Sequence, residues 1–338
     1  MLVGFGVLRR TYGFRKEPFA SEQKLNFLFA FNHTSYQINY SGEFNSVFHN
    51  KDVLVHANLV DPALNNFFGF GNETMYDKTK GIDYYRARYK YLSGDVLLRK
   101  KLGAIIQVMA GPVVYHYWNK YSDNSNRILG KPQLVGLDSL SIYSQKTYAG
   151  GKIDLLINNL DNVLLPTRGI YWLTEFTSLG GLNDNSKPYT SLVSYMEVHA
   201  ARAEPAKVVP VLRFGGGHIY SKHYEYFQTL NLGGNNFIRG FRKDRFSGTS
   251  LLYGSAELQI KLFDSKSYLL PGPVGLILFN DLGRVWLRGE HSREWHDAYG
   301  GGFYYAAYNY VLLSGTIGFS TQERVFNFSL GTKFNITF

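Results

Sequence analysis

The alternation of apolar and polar residues along the chain is the feature that most restricts its fold. In residues 325–338, VFNFSLGTKFNITF, one set of alternate positions holds Phe326, Phe328, Leu330, Thr332, Phe334, Ile336 and Phe338. The other set holds Asn327, Ser329, Gly331, Lys333, Asn335 and Thr337. A period of two is the period of a β-strand with one apolar face. Similar alternation recurs in residues 24–32 and 84–92, so an all-β chain is expected.

The distribution of aromatic residues favours a membrane barrel over a soluble sandwich. Aromatic residues make up 16% of the chain and crowd the ends of strand-like runs such as VVYHYW and GGFYYAAYNY, as in the aromatic girdles of membrane barrels. Strand-like runs continue from end to end of the 338 residues, and a sheet that spans hydrocarbon must close. We therefore expect a transmembrane antiparallel β-barrel, although the alternation itself does not fix the number of strands.

The chain shows no linker, low-complexity tract or change of composition that would separate two domains. We expect one barrel domain over residues 1–338. The first residues, MLVGFGVLRR, place cations after the apolar positions, whereas a signal peptide places them before an apolar core. They predict a strand at the start of the chain, and hence a portion of a longer protein whose soluble N-terminal domain is absent here.

The net charge of +10 suits either nucleic acid or an anionic membrane surface. Arg86, Arg88 and Lys90 alternate with tyrosines, a pattern that resembles a nucleic-acid surface with stacking aromatics. In a barrel, the same cations are expected to line the lumen. We prefer this interpretation and expect no nucleic-acid partner.

Sequence signals for catalysis or cofactor binding are weak. The chain has no cysteine and no phosphate-binding loop of the GxxxxGK(S/T) type. The best metal candidate is HSREWHD, which offers His291, Glu294, His296 and Asp297. A solvated polar loop explains these residues more simply. We therefore expect a non-catalytic barrel without a metal or cofactor.

Residues 233–241 carry a recognisable loop motif. The run IRGF, formed by Ile238, Arg239, Gly240 and Phe241, follows the glycine pair at 233–234. It resembles the (V/I)RG(F/Y) loop of the BamA/TamA surface-antigen superfamily of outer-membrane barrels. Four letters alone are a weak signal, so the resemblance depends on the order of further motifs.

Those further motifs occur in the order that the superfamily shows. DNVLLPTRGIYW resembles its proline and glycine motif, with Pro166, Gly169 and Tyr171. Glu257 lies in the strand that follows the loop, and LFNDLGRVW matches an FxDxG element through Phe279, Asp281 and Gly283. The chain ends on Phe338, and Gly331, Phe334 and Ile336 fit a terminal β-signal.

The resemblance implies a sixteen-stranded barrel whose long extracellular loop folds into the lumen. Arg239 is then expected to pair with Asp281, with Glu257 nearby, because an arginine bridges carboxylates well and an unpaired charge is costly in such surroundings. Phe241 is expected to pack beside Phe279 and Gly283. The other cations of the loop, Arg242, Lys243 and Arg245, are expected to be solvated.

The two ends of the chain must meet in a closed barrel. Gly4 and Gly6 weaken the first strand and Gly331 interrupts the last one. A weak seam there resembles the lateral gate of the assembly factors. Glycine is also common in barrel strands, and this simpler interpretation stays open.

Three functions remain possible at this stage. The resemblance implies an outer-membrane insertase or translocase, whose partners are outer-membrane lipid and nascent outer-membrane proteins. It also allows a membrane anchor or secretion pore for a fused or associated periplasmic domain, of the metallophosphoesterase or patatin-like type. An anion-selective porin is the third, and is disfavoured because the loop would obstruct the lumen.

Overall fold

A computed structural model describes residues 2–14, 16–31, 34–48, 50–234, 237–268, 270–308 and 310–332. Fifteen antiparallel strands form one continuous sheet, each paired with its neighbours in chain order, and a separate two-stranded hairpin lies in the connection formed by residues 220–249. The sheet is the wall of the barrel, and the all-β expectation is confirmed.

The bounds of the strands and helices are as follows. The wall consists of β1 Leu2–Gly13, β2 Lys16–Ala30, β3 Ser35–Phe48, β4 Lys51–Asn66, β5 Arg86–Leu102, β6 Ile106–Trp118, β7 Lys146–Asn158, β8 Arg168–Gly181, β9 Tyr189–Ala200, β10 Val208–Ile219, β13 Ser250–Ser265, β14 Gly272–Trp286, β15 His296–Ala307, β16 Val311–Ser320 and β17 Arg324–Thr332. The hairpin is β11 Leu230–Leu232 and β12 Phe246–Gly248. Among the described residues, the connections contain two short helices, α1 Gly81–Tyr85 and α2 Ser139–Tyr143, and five 3-10 turns, Lys78–Lys80, Tyr121–Asp123, Ile128–Gly130, Pro132–Val135 and Tyr226–Gln228.

The described part of the chain contains fifteen wall strands, and the sixteen expected for the whole barrel stay a prediction. Residues 67–85, 119–145 and 220–249 all lie between wall strands. The long connections leave one end of the barrel, here the long-loop end, and short turns leave the other, the short-turn end. Among the described residues, no helix is long and apolar enough to cross a membrane.

The last strand shows how the alternation becomes two faces. Phe326 and Phe328 are 73% and 61% exposed, whereas Asn327 between them is 8% exposed. The exposed phenylalanines face outward, where lipid surrounds a membrane barrel, and the asparagine faces the interior.

The faces of β5 are opposite to the expected ones. Arg86, Arg88 and Lys90 lie on the same face of β5 as Leu92. Leu92 is 46% exposed, so this face is the outer one. Tyr89 is buried instead, against ring partners in the interior. Alternation shows which residues share a face but not which face points inward. These cations lie at the end of β5 next to the long connections, where Arg86 pairs with Asp83 and Lys90 with Asp61.

A cluster of aromatic residues covers the long-loop end from inside. The ring of Tyr117 stacks on Phe227 with centroids 4.1 Å apart, and its hydroxyl lies 2.9 Å from that of Tyr226. Buried residues from β4 to β6 and from the long connections complete this cluster: Val60, Ala63, Phe67, Phe68, Tyr85, Ala87, Tyr89, Ile128, Leu129 and Ile142. The connections therefore pack together over the lumen as one layer.

Candidate functional site

The connection between β10 and β13, residues 220–249, folds into the barrel and is here named the inner loop. Its hairpin pairs Leu230 with Gly248 and Leu232 with Phe246. At its tip the backbone turns tightly, because the amide of Phe241 donates to the carbonyl of Ile238 at 3.3 Å. The IRGF motif is therefore presented on a compact turn.

Arg239 donates five hydrogen bonds to the inner wall, and the residue is only 8% exposed. Its Nε and Nη2 donate to the two oxygens of Asp281 at 2.9 and 2.7 Å, and its backbone amide donates to the same carboxylate at 3.0 Å. Nη2 also donates to Ser255 Oγ at 3.0 Å, and Nη1 donates to Glu257. The structure thus brings the arginine of the loop motif to both acids named from the sequence.

The residues of this ion pair are largely buried. Asp281 is fully buried and Glu257 is 7% exposed. The guanidinium of Arg239 lies 3.6 Å from the ring centroid of Phe279, which adds a cation–π contact. Removing one partner of such a buried pair typically costs about 3 to 5 kcal/mol, because the other charge is left without compensation.

Gly240 allows the loop to approach the wall closely. A Cβ at this position would lie 2.6 Å from the Cβ of Ala298 and 2.9 Å from the carbonyl oxygen of Phe319. Both distances are too short for a real side chain, so any other residue would push the tip away from β15 and β16. The glycine of the motif is required by close packing.

The apolar residues of the motif occupy different sites from those expected. Ile238 rather than Phe241 covers Gly283, since its Cδ1 lies 3.1 Å from the position of a Cβ there. Phe241 packs against Phe246 and His296, with ring centroids 5.4 and 5.6 Å away. The two side chains contact different residues within one buried cluster, and a linear motif does not reveal this.

Arg213 was missed by the sequence reasoning. It lies on β10, opposite Glu197 on β9 and diagonal to Glu257 on β13. Its Nε donates to Glu197 Oε2 at 2.9 Å, and its Nη1 donates to Glu257 Oε2 at 2.9 Å. Glu257 therefore receives one arginine from the wall and another, Arg239, from the loop. An arginine among wet-face residues of a strand was the only available signal.

The last strand also holds the loop tip. Asn327 Nδ2 donates to the carbonyl oxygen of Arg239 at 2.8 Å, and Ser320 Oγ donates to that of Gly240 at 2.8 Å. The inner loop is consequently bound to β13 and β14 through charges and to β16 and β17 through hydrogen bonds. Its docking connects the middle of the wall to its last strand.

Arg245 is buried rather than solvated. The residue is 1% exposed, and its guanidinium lies 4.6 Å from the ring of Phe246 and 4.9 Å from that of Phe68. It donates to Thr74 Oγ1 at 2.6 Å and to Gln322 at 2.9 Å. Burial lowers its pKa to about 10. Arg242 is half-exposed and pairs with Glu323 at 3.0 Å, while Lys243 donates to an asparagine at the exposed edge.

His296 anchors a connection, and the described residues contain no cluster of His, Asp and Glu that could hold a metal ion. It is 7% exposed, its Nε2 lies 2.8 Å from the carbonyl oxygen of Asn72, and its ring stacks on Phe246 at 3.7 Å. The side chain of Asn72 is itself held in place, because its Nδ2 donates to Ser292 Oγ at 2.9 Å and to the carbonyl oxygen of Glu294 at 3.0 Å. This histidine fastens residues 67–85 to the inner loop.

The proline and glycine motif lies at the short-turn end. Pro166 is buried, and Gly169 has a φ of 115°, in the region that favours glycine. A Cβ on Gly169 would lie 2.5 Å from the carbonyl oxygen of Asn159. Tyr171 follows on β8, with its ring 6.1 Å from that of Tyr195.

The glycines named for the seam lie on the first and last strands of the wall. Gly4 and Gly6 pair with Leu28 and Asn26 on β2, and Gly331 pairs with Leu312 on β16. The remaining residues of the terminal β-signal, Phe334, Ile336 and Phe338, lie outside the described residues.

Taken together, the wall and its docked loop define a membrane β-barrel with an arginine-bearing inner loop. The Omp85 superfamily domain matches residues 15–334. The chain belongs to the Omp85 superfamily, which confirms the resemblance drawn from the loop motif. A comparison with curated proteins gives no match.

Solved structures with the same fold include BamA from Haemophilus ducreyi lacking POTRA domains 1–3. That structure has a TM-score of 0.65 and 14% sequence identity, and the match covers 98% of this chain and 69% of that chain. CdiB from Acinetobacter baumannii matches with a TM-score of 0.55 and 12% identity, covering 97% of this chain and 56% of that one. CdiB from Escherichia coli matches with a TM-score of 0.57 and 14% identity, covering 98% and 60%. This chain therefore spans less than two thirds of either CdiB.

Proposed function

We propose that this barrel inserts or translocates proteins at the bacterial outer membrane, through a seam between its first and last strands. Membership of the Omp85 superfamily and the fold shared with BamA and CdiB support this role. In this proposal the long-loop end of the barrel is extracellular and the short-turn end is periplasmic. The barrel wall carries no catalytic step in this proposal.

The contact between Asn327 and Arg239 is the observation that carries the proposal. Asn327 lies on β17, the last strand of the wall, and it donates to the carbonyl oxygen of Arg239 at 2.8 Å. The charges around Arg239 hold the same loop on β13 and β14. The docked loop thus fixes one side of the seam from inside.

The first strand provides a weaker side. Gly4 and Gly6, which pair with Leu28 and Asn26 on β2, contribute no side chain to packing. When the seam opens, backbone N–H and C=O groups of β1 and β17 become available to an incoming strand. Such edge pairing supplies main-chain hydrogen bonds without sequence specificity.

Tethering the seam tests the proposal. The chain contains no cysteine, so introduced pairs can be joined selectively. A cysteine at Gly6 crosslinked to one at Gly331 is expected to abolish insertion of an outer-membrane client into liposomes that contain the barrel. The control is a crosslink between Asn26 and Asn39, which face each other on β2 and β3. Full insertion activity in the seam-locked form would reject the proposal.

A second function is a membrane anchor or secretion pore for a periplasmic domain of the metallophosphoesterase or patatin-like type. The aromatic layer around Tyr117 and Phe227 favours it, because a barrel covered at its long-loop end suits a fixed anchor. In that case, the attached domain keeps its full activity both in the seam-locked form and in the form with the control crosslink.

A further inference from the structure

The turn between β7 and β8, residues 159–167, is here named the strap. Its conformation is fixed by its own polar side chains. Asn162 Oδ1 accepts from the amides of Leu164 and Leu165 at 2.8 and 3.1 Å. Asp161 accepts from the amide and the hydroxyl of Thr167 at 2.8 and 2.6 Å. The strap is therefore an ordered turn that holds Leu164 and Leu165 in one orientation.

The base of the strap is tied to the neighbouring turn. The amide of Ala201 donates to the carbonyl oxygen of Thr167 at 3.0 Å, and Arg168 Nε donates to the carbonyl oxygen of Ala201 at 2.9 Å. Ala201 itself packs on the interior residues Val209 and Val211. Two adjacent turns thus fold together at the same mouth of the barrel.

The tip of the strap reaches a distant part of the wall. Leu165 packs against the cluster that contains Ile277 and Tyr304 on β14 and β15, together with Leu312 on β16. Leu164 Cδ1 lies 3.6 Å from the position of a Cβ on Gly331, on β17. Because β7 and β8 are separated from these strands by at least β9, β10 and β13, the strap crosses the mouth rather than following the rim.

A chamber of about 790 Å³ lies between the strap and the inner loop. Leu165 lines it, as do Phe237 and Arg239 of the inner loop. The opposite walls contribute charged and hydroxyl side chains, such as Arg213 and Ser314. The chamber is thus bounded by the loop on one side and by the strap on the other.

We propose that the strap is a seal for the short-turn mouth, which separates the chamber from the periplasm and rests on the last strand. Leu164 and Leu165 form its contact surface, because they bury apolar area against β14–β17. Val163, which is 72% exposed, lies on the opposite side and does not contribute. A polypeptide that enters from this side has to displace the leucine pair before it reaches β17.

Cysteine labelling of the chamber tests the seal. Ser314→Cys places a thiol in the chamber of a chain that has no other cysteine. Its reaction with a bulky maleimide in proteoliposomes is expected to be slow. Adding Leu164→Ser and Leu165→Ser is expected to raise the labelling rate by about tenfold or more, which corresponds to losing the burial of one leucine side chain. Adding Val163→Ser, the matched control in the same turn, is expected to leave the rate unchanged.

A second measurement covers the case in which the double variant does not fold. Cysteines at Leu164 and Gly331 are expected to be joined rapidly by a short bifunctional thiol reagent, and cysteines at Val163 and Gly331 slowly. Equal rates for the two pairs, or equally fast chamber labelling with and without the leucine pair, would overturn the inference. Neither measurement requires client insertion, so this inference and the proposed function fail separately.

Discussion

Arg239 and Asp281 are joined by three hydrogen bonds, two from the guanidinium and one from the backbone amide, at 2.9, 2.7 and 3.0 Å. Side chain and main chain of one residue thus bind the same buried carboxylate. This arrangement fixes the direction of the loop as well as its distance from the wall. Lysine, with a single ammonium group, cannot reproduce it.

Replacing Arg239 with alanine is expected to release the inner loop, because Asp281 and Glu257 would remain buried without their partner. The expected loss is about 3 to 5 kcal/mol of docking free energy. Limited proteolysis within residues 220–249 measures it. Lys243→Ala, a change at an exposed cation of the same loop, is the control and is expected to leave cleavage unchanged. Equal protease resistance of all three chains would contradict the role of Arg239.

Replacing Arg213 with methionine is expected to weaken the loop although the residue does not touch it. Arg213 holds Glu257, which binds Arg239, so the two arginines are energetically coupled. A double-mutant cycle with Arg239→Ala, measured by thermal unfolding, is expected to show a coupling of about 0.5 to 3 kcal/mol. Strict additivity of the two losses would show that Arg213 acts independently.

Replacing Gly240 with alanine is expected to displace the loop tip, because the added Cβ would collide with Ala298 and the backbone of Phe319. Such overpacking typically costs about 1 to 3 kcal/mol. Gly315→Ala on β16 is the matched control, since the nearest atom, on Phe326, would lie 3.7 Å away. Thermal unfolding and loop proteolysis are expected to change for the first variant only.

His296 is expected to stabilise the barrel without a metal ion. His296→Ala removes a buried hydrogen bond to Asn72 and the stacking on Phe246, and is expected to lower the free energy of unfolding by about 1 to 3 kcal/mol. A chelator is expected to leave unfolding of the unmodified chain unchanged. His291→Ala, in the exposed part of the connection, is the control. A stability loss on chelation would restore the metal hypothesis.

Asp161 is expected to make the strap sensitive to acid. Burial raises the pKa of its carboxyl, but hydrogen bonds from Thr167 and from the backbone of Arg168 and Asn162 together outweigh this effect and hold the pKa below its usual 3.8. Because the folded pKa lies below the unfolded one, the carboxylate stabilises the strap above pH 3.8. This contribution is lost as the pH falls through the folded pKa.

The methyl NMR signals of Leu165 report this transition. They are expected to shift below pH 3.8 in the unmodified chain. In Asp161→Asn they are expected to occupy the shifted position already at neutral pH. An identical titration in both chains would show that another group controls the strap.

The alternation of apolar and polar residues predicted correctly which face of the last strand points outward. Phe326 and Phe328 are exposed and Asn327 is buried, as their alternation indicates. The same reasoning failed on β5, where the cations at 86–90 face outward and the tyrosines inward. Period two assigns residues to shared faces. Position along the strand and packing against the inner loop decide which polar face is the interior.

The sequence by itself determined the all-β fold, the outward phenylalanines and the loop motif that carries Arg239, because these follow from periodicity and from short-range residue order. Only the tertiary structure decided that Arg213 shares Glu257 with Arg239, that Asn327 holds the loop tip, and that the strap reaches Gly331. Each of these contacts joins residues that are far apart in the chain. Their distances depend on strand order and on the curvature of the wall, which no local pattern records.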